Sequence, residues 1–460
     1  MYYLESIYTA RSLCAAALDA FCLALAFAVT WVIQAPEISG LAYAGIALGM
    51  IVASFAVLFF NDAYRPDALG DGPQTTTAIL STMGVGLAGA VVLYFAIQVP
   101  RDVVPTLATV AGIFFPLLVC GRIGLRLLLS LKPLTSNVLV IGATDLGHEI
   151  ADALHERHDT GIHMVGFLSD DPSLREQGAR FRGFPVIGQV HQLEKILAER
   201  RVDQIVVASK DRSEHFPKDA LMHAKITQGI RVESGVKFLE RLVGRIYMRD
   251  LRASYLIFNE GFENRRIHRI AQRTLDIVGA TILLTLSFPA LTLAAIAIKI
   301  DSPGPVLFRQ TRFGRHNKTF LMNKLRSMRD NAEAECGAVF TADKDDRITR
   351  VGHFIRRTRL DELPQFWNVL MGDMSLVGPR AERPEFAETL ADYYPYYNMR
   401  TSVRPGITGW AQTRYGYVNN VEAYEEKLAL DLYYLKYRSL LLDLAILAQT
   451  VKTVLHFRGL

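Results

Sequence analysis

The sequence predicts a membrane protein that joins apolar helices to a doubly wound α/β module and a mainly helical C-terminal domain. Three observations carry this prediction. Four apolar runs fill the first third of the chain, strand and helix patterns alternate in the middle, and a fifth apolar run lies between basic clusters. Half of the 460 residues are hydrophobic and 21% are charged. This composition excludes a disordered chain and argues against a wholly soluble one.

The four N-terminal apolar runs predict a four-helix transmembrane bundle over residues 1–131, because each reaches the roughly 20 residues that a membrane helix needs. They cover 12–33, 41–61, 77–98 and 104–130. The chain after Ser130 is rich in Lys and Arg, which predicts that it faces the cytoplasm. Asp19 lies inside the first run. We interpret it as a structural carboxylate, with Arg122 as a possible partner; a proton or ion path is the alternative.

Residues 132–262 predict a parallel, doubly wound module of the Rossmann-like type, because short apolar strands alternate with helices. The predicted strands are Asn137–Ile141, His163–Leu168, Phe184–Ile187 and Gln204–Ala208, and the predicted helices cover 148–156 and 190–200. The loop Gly142–Gly147 is similar to a dinucleotide fingerprint, but Thr144 occupies the place of its second glycine. A structural or regulatory module is favoured, and nucleotide binding is the alternative.

The fifth apolar run, 277–298, has basic residues on both flanks, so a straight span would place one basic cluster outside. Pro289 near its middle removes a backbone donor, and each half spans only roughly 16 Å of helix. We therefore predict a re-entrant helix–break–helix; an ordinary kinked span is the alternative. The last apolar stretch, 439–457, predicts an interfacial amphipathic helix or a packed C-terminal helix.

The densest set of charged residues surrounds Asp361 and Glu362. Adjacent carboxylates cannot point the same way on a helix, so one can attack while the other holds a metal. Nearby arginines match phosphate oxygens. Together these features predict Mg²⁺-assisted phosphoryl transfer to or from a lipid; a salt-bridged surface helix is the alternative. The turn 404–410 is a structural turn or a phosphate cradle.

The C-terminal domain, 263–460, resembles the bacterial sugar transferases, which are monotopic phosphoglycosyl transferases. The resemblance rests on six ordered blocks: 299–310, 312–314, 324–328, 360–365, 372–380 and 404–410. The whole layout is similar to that of the large members, the undecaprenyl-phosphate glucose and galactose phosphotransferases. These have four membrane helices, a Rossmann-like module and a catalytic domain.

The resemblance implies a two-step mechanism. Asp361 attacks the β-phosphorus of a UDP-sugar, UMP leaves, and undecaprenyl phosphate then attacks the phosphosugar–aspartate intermediate. Glu362 matches the family's Mg²⁺ ligand. The implied substrate-binding residues are Lys324, Arg356, Gln365, Asn368, Arg380 and Arg404. At the helix break Pro289 fits the family's Ser-Pro pair, but Ser287 is displaced by one position, and Ala381 follows Arg380 where the family has proline.

The resemblance also implies partners and a location. The expected partners are a UDP-sugar, undecaprenyl phosphate and the lipid bilayer, with UDP-glucose slightly ahead of UDP-galactose as donor. The expected location is the bacterial inner membrane, with the catalytic domain on the cytoplasmic side. The product would start an exopolysaccharide, capsule or O-antigen repeat, and a homodimer is expected.

Three other functions fit less well. A membrane-anchored nucleotide-sugar dehydratase or epimerase needs an intact glycine fingerprint and a Tyr-x-x-x-Lys pair, and the chain after residue 130 has neither. A transporter needs more charges inside its apolar runs than Asp19, although a scaffold role alongside catalysis fits the first 260 residues. Nucleic-acid binding is not expected, because the basic residues alternate with acidic ones.

Overall fold

The computed structural model describes most of the second and third parts of the chain and portions of the first. The described residues are 10–34, 49–50, 53–61, 63–64, 77, 79–82, 84, 103–129, 136–156, 161–174, 179–209, 216–259, 261–262, 266–329, 347–415 and 423–455. The chain divides into two compact units, Met1–Gly244 and Arg245–Leu460. The boundary predicted at residues 262/263 therefore falls inside the second unit. Arg245 pairs there with Glu426, and Ile246 N donates to Ala429 O.

Two long apolar helices confirm the first and fourth predicted membrane runs. Helix α1 spans Ala10–Gln34 and α2 spans Val103–Leu129, and each contains a stretch long and apolar enough to cross a membrane. They pack against each other through buried side chains that include Leu23, Phe27 and Phe114. The structure describes only 49–50 and 53–61 of the run 41–61 and only 77, 79–82 and 84 of the run 77–98, so the four-helix bundle stays a prediction.

The pairing of Asp19 with Arg122 is confirmed. The Arg122 guanidinium donates from Nε to Asp19 Oδ1 at 3.1 Å and from Nη2 to Oδ2 at 2.5 Å, and its Nη1 donates to Ala63 O. Both side chains are buried, and the guanidinium also lies 5.1 Å from the ring centre of Tyr64. These contacts satisfy the charged groups between the helices, which gives Asp19 the structural role favoured above.

The α/β module contains a six-stranded sheet in the order β3-β4-β2-β1-β5-β6. The strands are β1 Ser136–Ile141, β2 Ile162–Leu168, β3 Arg180–Phe181, β4 Phe184–Gly188, β5 Gln204–Val207 and β6 Arg231–Ser234. The helices are α3 Asp145–Glu156, α4 Leu193–Glu199, α5 Lys218–Ile226 and α6 Gly235–Val243. All neighbouring strands are parallel except β3 and β4. The four predicted strands are confirmed, and β3 and β6 were not predicted.

The loop after β1 is closed by its own side chain. Thr144 Oγ1 donates to Ala208 O at 2.8 Å, between the ends of β1 and β5, and also accepts from Gly147 N at 3.4 Å. Strand order reverses between β1 and β5, which is where doubly wound sheets bind nucleotides. Gly142, at φ +105°, lies so close to Ser209 that an added Cβ would be 2.8 Å from its backbone nitrogen. The Thr144 hydroxyl, which occupies the place of the fingerprint's second glycine, is therefore engaged by the protein itself.

The second unit contains one long helix, α8, together with shorter helices and two small sheets. Its helices are α7 Ala253–Phe258, α8 Arg266–Asp301, α9 Arg350–Arg357, α10 Gln365–Met371, α11 Pro384–Tyr393, α12 Trp410–Arg414, α13 Ala423–Tyr437 and α14 Leu440–Leu455. Strands β7 Leu307–Phe313 and β8 Thr319–Leu325 form an antiparallel hairpin, whereas β9 Ser375–Val377 and β10 Gly406–Thr408 pair in parallel. Helix α14 confirms the predicted C-terminal helix and buries Leu442, Asp443 and Ile446.

Helix α8 contains the fifth apolar run and continues through Pro289 as one 36-residue helix. The predicted interruption at Pro289 is therefore absent from the secondary structure. Ser287 Oγ donates to Leu284 O, a contact within the helix itself. Both ends of α8 pack on the same unit, while Leu286, Phe288 and Leu293 between them are 67–74% exposed. Whether this helix re-enters the membrane stays a prediction.

Candidate active site

The adjacent carboxylates lie in a short 3₁₀ turn, Leu360–Glu362, between α9 and α10. Arg359 enters this turn with φ 59° and ψ 15°, a left-handed conformation that costs energy for any residue with a Cβ. Such strain persists where the surrounding structure holds it, and it is concentrated at functional sites. Glu362 N donates to Arg359 O at 3.2 Å, which closes the turn and places both carboxylates on one short segment.

Glu362 lies between two cations. Lys324 Nζ and Arg380 Nη2 are each 3.5 Å from Glu362 Oε1, although the three residues lie on separate parts of the chain. Burial opposes ionisation of this carboxyl, but the positive charges of Lys324, Arg380 and Arg359 outweigh burial and lower its pKa to about 2. Glu362 is therefore ionised at every physiological pH.

The pKa of Asp361 is shifted in the opposite direction. Burial and the neighbouring negative charge of Glu362 raise its pKa to about 6, although Lys324, Arg356 and Arg359 act against this rise. Two adjacent carboxylates whose environments separate their pKa values have the arrangement that assigns different chemical roles. Asp361 is mostly ionised at neutral pH but more basic than an ordinary aspartate, which suits a nucleophile.

Arg356 is in the last turn of α9, where positive side chains complement the helix dipole. Thr349 caps the other end of this helix by accepting a hydrogen bond from Gly352 N at 3.0 Å. The helix therefore presents its basic end toward Asp361. The positive charge of Arg356 acts on the Asp361 carboxyl, and substrate binding by Arg356 stays a prediction.

Asn368 and Gln365 are both buried in α10. Asn368 Oδ1 accepts from the backbone and side-chain nitrogens of Asn323, each at 3.0 Å, and Asn368 Nδ2 donates to Leu321 O at 2.8 Å. These contacts engage both polar atoms and fasten β8, which carries Lys324, to α10. The structure thus gives Asn368 a positioning role, and substrate binding by Asn368 or Gln365 stays a prediction.

Arg380 follows β9 at a close crossing of two chain segments. Gly406 N donates to Pro379 O at 2.9 Å, and an added Cβ on Gly378 would be 2.5 Å from Arg404 O. Glycine is therefore required for the backbones to approach. Burial and the nearby charge of Arg273 lower the pKa of the Arg404 guanidinium, and substrate binding by Arg404 stays a prediction.

Several residues of the site were not predicted from the sequence. Arg359 stands beside the pair, but only its positive φ and its effect on both pKa values distinguish it from the neighbouring arginines. Arg400, Glu382, Lys427 and Asp431 form a buried network behind Arg380. A charged residue in the apolar pattern around Asp431 was the available signal.

The residues of the site fit a magnesium ion whose coordination is completed by phosphate oxygens of the substrate. Mg²⁺ commonly takes one or two protein carboxylates and keeps water and phosphate oxygens as its other ligands. The described residues contain no cluster of three or more His, Cys, Asp or Glu side chains that could enclose a metal. Glu362, ionised and beside Asp361, is the carboxylate that would hold the ion.

The comparisons with known proteins match two stretches of the chain, and the second stretch begins within the predicted membrane bundle and ends within the predicted α/β module. Residues 267–457 match the profile of a family described as bacterial sugar transferase, and residues 60–214 match a profile described as a CoA-binding domain. The Thr144 contact does not fit the approach of a CoA pyrophosphate to the glycine loop. The second profile therefore identifies the type of module and adds no step to the chemistry.

Three curated relatives illustrate the similarity. The UDP-N-acetylgalactosamine-undecaprenyl-phosphate N-acetylgalactosaminephosphotransferase of Aeromonas hydrophila is 46% identical over 189 residues, which are 41% of this chain and 44% of that protein. The UDP-glucose:undecaprenyl-phosphate glucose-1-phosphate transferase of Caulobacter vibrioides is 44% identical over 40% of this chain and 70% of its own. The UDP-galactose-lipid carrier transferase of Erwinia amylovora is 32% identical over 74% of this chain and 72% of its own.

The matched stretch spans less than half the length of the Aeromonas protein but more than two thirds of the other two. The family profile covers the whole segment that carries Lys324, the carboxylate pair and Arg380. The fold of the second unit, the paired carboxylates and these similarities agree. This chain belongs to the bacterial sugar transferase family.

Proposed function

We propose that this protein transfers a sugar 1-phosphate from a UDP-sugar to undecaprenyl phosphate and releases UMP. The observation that carries the proposal is the pair of carboxylates with opposite pKa shifts, one of them held 3.5 Å from both Lys324 and Arg380. The names of the relatives support the same reaction class. The proposed product starts an exopolysaccharide, capsule or O-antigen repeat.

In the first step, an ionised Asp361 oxygen attacks the β-phosphorus of the UDP-sugar. The bond to the bridging oxygen breaks, UMP leaves, and a phosphosugar–aspartate ester forms. Lys324, Arg356 and Arg380 neutralise phosphate oxygens, for which guanidinium groups are well shaped. In the second step, an oxygen of undecaprenyl phosphate attacks the same phosphorus and frees Asp361, so both steps balance in atoms and charge.

Magnesium, held by Glu362, supplies a charge that stabilises the phosphate oxygens when it is bound. The residues of the chain do the rest. Lys324 and Arg380 already contact Glu362 and can exchange that contact for phosphate oxygens of a substrate. Because Glu362 has a lowered pKa, no proton has to leave it before a metal binds.

The proposed site lies at the cytoplasmic surface of the bacterial inner membrane, and α8 enters and leaves the bilayer on that side. Two observations support re-entry. Arg273 near the start of α8 donates to Val369 O and Leu370 O, while Ile298 near its end packs with Leu325 and Ile355. Both ends therefore contact one unit, with exposed apolar side chains between them.

A labelling experiment tests this topology. The native cysteines are replaced and a single cysteine is added at the C-terminus of the full chain. We expect an impermeant maleimide to label it only after the inner membrane is opened. Labelling of intact spheroplasts from outside would contradict the re-entrant arrangement, because a fifth span would move the C-terminus across the bilayer.

The donor sugar and the oligomeric state are separate proposals. The names of the three relatives specify N-acetylgalactosamine, glucose and galactose. We propose a UDP-hexose, with UDP-glucose and UDP-galactose as first candidates and UDP-N-acetylgalactosamine as a necessary third. We also propose a homodimer, which mass photometry of the purified protein in detergent tests directly.

The reaction is tested by UMP release from these three donors, with and without undecaprenyl phosphate and Mg²⁺. We expect turnover with one donor that requires both the lipid and the metal. In the absence of the lipid, we expect one UMP per active site and retention of β-phosphorus label on Asp361. Release of UDP instead of UMP would contradict the proposal, because it would show cleavage at the sugar carbon.

A further inference from the structure

The segment 379–382 carries Arg380 and is fixed at four consecutive carbonyls. Each carbonyl accepts one hydrogen bond, and the donors come from β7, β10 and Arg400. The donors, in the order of the carbonyls, are Gly406 N at 2.9 Å, Arg400 Nη2 at 3.0 Å, Arg312 Nη1 at 3.2 Å and Phe313 N at 3.0 Å. Two of these donors are backbone N–H groups. The other two are arginine side chains, whose positions depend on tertiary contacts.

Arg400 is the more deeply buried of the two arginines, at 4% exposure. Its guanidinium pairs with Asp431 Oδ2, at 3.1 Å from Nε and 2.8 Å from Nη2, and its Nη1 donates to Tyr397 Oη at 2.8 Å. The Nη2 group also makes the bond to Arg380 O. Every nitrogen of the guanidinium thus has a partner, and the planar group has one orientation.

A second ion pair completes the network. Lys427 Nζ lies 2.6 Å from Glu382 Oε1, and Arg400 Nη1 lies 3.6 Å from the same oxygen. Two positive and two negative side chains are therefore buried together without excess charge. Buried ion pairs of this kind cost desolvation energy and often stabilise a fold no better than apolar residues would. Their value here has to come from where they hold the chain.

The network reaches the active site at Arg380. Arg400 fixes the carbonyl of Arg380, and the side chain of Arg380 places Nη2 3.5 Å from Glu362 Oε1. We propose that Arg400 is a positioning residue for phosphoryl transfer, and that it acts by fixing the backbone at Arg380 so that this guanidinium meets the substrate phosphates. The inference rests on the proposed function, in which Arg380 touches the UDP-sugar.

A double-mutant cycle on the full-length protein tests this proposal. UMP release is measured for R380K, R400K and the double variant. Active sites are counted by the UMP burst without lipid, so that misfolded protein does not enter the rate. Loss of one positioned donor costs roughly 10²-fold, so we expect R380K to lower kcat by about 100-fold. We expect R400K to lower kcat by about 30-fold with KM for the UDP-sugar changed less than about three-fold.

The decisive value is the rate of the double variant. If Arg400 acts through Arg380, the double variant is within about three-fold of R380K alone, because the second change has nothing further to misplace. A double variant about 30-fold slower than R380K would show that the two residues act independently, and would overturn the proposal.

Arg326 provides a matched comparison. It is also buried, at 5% exposure, and it donates to backbone carbonyls, at 2.7 Å to Pro303 O and 2.8 Å to Ser302 O. It makes no contact with segment 379–382 among the described residues. We expect R326K to multiply with R380K, whatever its own effect. A non-additive R326K would show that the cycle reports general loosening of the fold.

A second variant covers the case in which R400K does not fold. D431N keeps the shape of the Asp431 side chain and weakens its charge pairing with Arg400. We expect a fall in kcat of about ten-fold that disappears in the R380K background. A persistent fall there would contradict the proposal. Wild-type protein without any UMP release would instead refute the proposed function, so the two failures are distinguishable.

Discussion

The glycine loop of the α/β module and the carboxylate pair of the second unit both carry motifs for phosphate chemistry, but the polar groups of the two motifs have different contacts. In the loop, Thr144 Oγ1 bonds to Ala208 O, so the polar group of the motif is satisfied by the protein. In the pair, Glu362 is ionised and two cations stand 3.5 Å from it. The hydroxyl of Thr144 is thus satisfied by a distant backbone carbonyl, whereas the charged groups around Glu362 satisfy one another as ion pairs that phosphate oxygens could replace.

The largest expected effect is that of D361N. An amide cannot attack phosphorus, so we expect UMP release to fall by at least about 1,000-fold. Because burial and Glu362 raise the pKa of Asp361, removal of its charge is expected to leave Tm unchanged or higher. A kinetic assay and a thermal melt on the same preparation check both expectations. Retained turnover would contradict the assignment of Asp361 as the nucleophile.

E362Q is expected to be the next most damaging change. It removes the ionised carboxylate that faces Lys324 and Arg380, and we expect kcat to fall about 100-fold with a much weaker dependence on Mg²⁺. A magnesium titration of kcat for wild type and variant measures this. An identical titration curve in the variant would remove Glu362 from the metal site while leaving the role of Asp361 intact.

The pH dependence of the rate follows from the opposite shifts of the two carboxylates. Asp361 has its pKa raised to about 6, so below pH 6 it becomes a neutral acid and loses its nucleophilic form. Glu362, with a pKa of about 2, stays ionised over the same range. We expect kcat/KM for UMP release to fall about ten-fold per unit below pH 6. A rate that stays constant down to pH 5 would show that the proposed environment of Asp361 is absent.

The smallest expected effect is that of T144G in the α/β module. The change removes the hydroxyl that donates a hydrogen bond to Ala208 O, so we expect a loss of about 1 kcal/mol in stability. UMP release is expected to stay within about two-fold of wild type. V140A, a change in the core of the same sheet, is the stability control. A large loss of turnover in T144G alone would show that the closed loop serves the reaction.

Much of the fold could be predicted because it follows from local patterns. The runs that became α1, α2 and α8, the four central strands and the C-terminal helix all have their apolar periodicity in the sequence itself. The strands β3 and β6 were missed because each is short and partly exposed, so hydrophobic alternation is weak there. The compact units divide at Gly244 and not at the predicted 262/263, because Arg245 and Ile246 contact α13, which is distant in the sequence.

The site shows the same division. The resemblance and the clustering of charges brought Asp361, Glu362 and Arg380 together before any geometry was known. Only the folded structure shows that Asn368 is hydrogen-bonded to β8 through Asn323 and Leu321. The left-handed Arg359 was missed because no local pattern requires a non-glycine residue to adopt positive φ.

The sequence by itself determined the apolar helices, the type of the central sheet and the identity of the carboxylate pair, because each depends on neighbours along the chain. Tertiary structure decided which groups are free to act. Asp19 pairs with Arg122, which is 103 residues away in the sequence. Arg400 contacts Asp431 and Arg380, and these three residues lie on three separate segments of the chain. Burial and the charge around a group set its pKa, and both are properties of the folded chain.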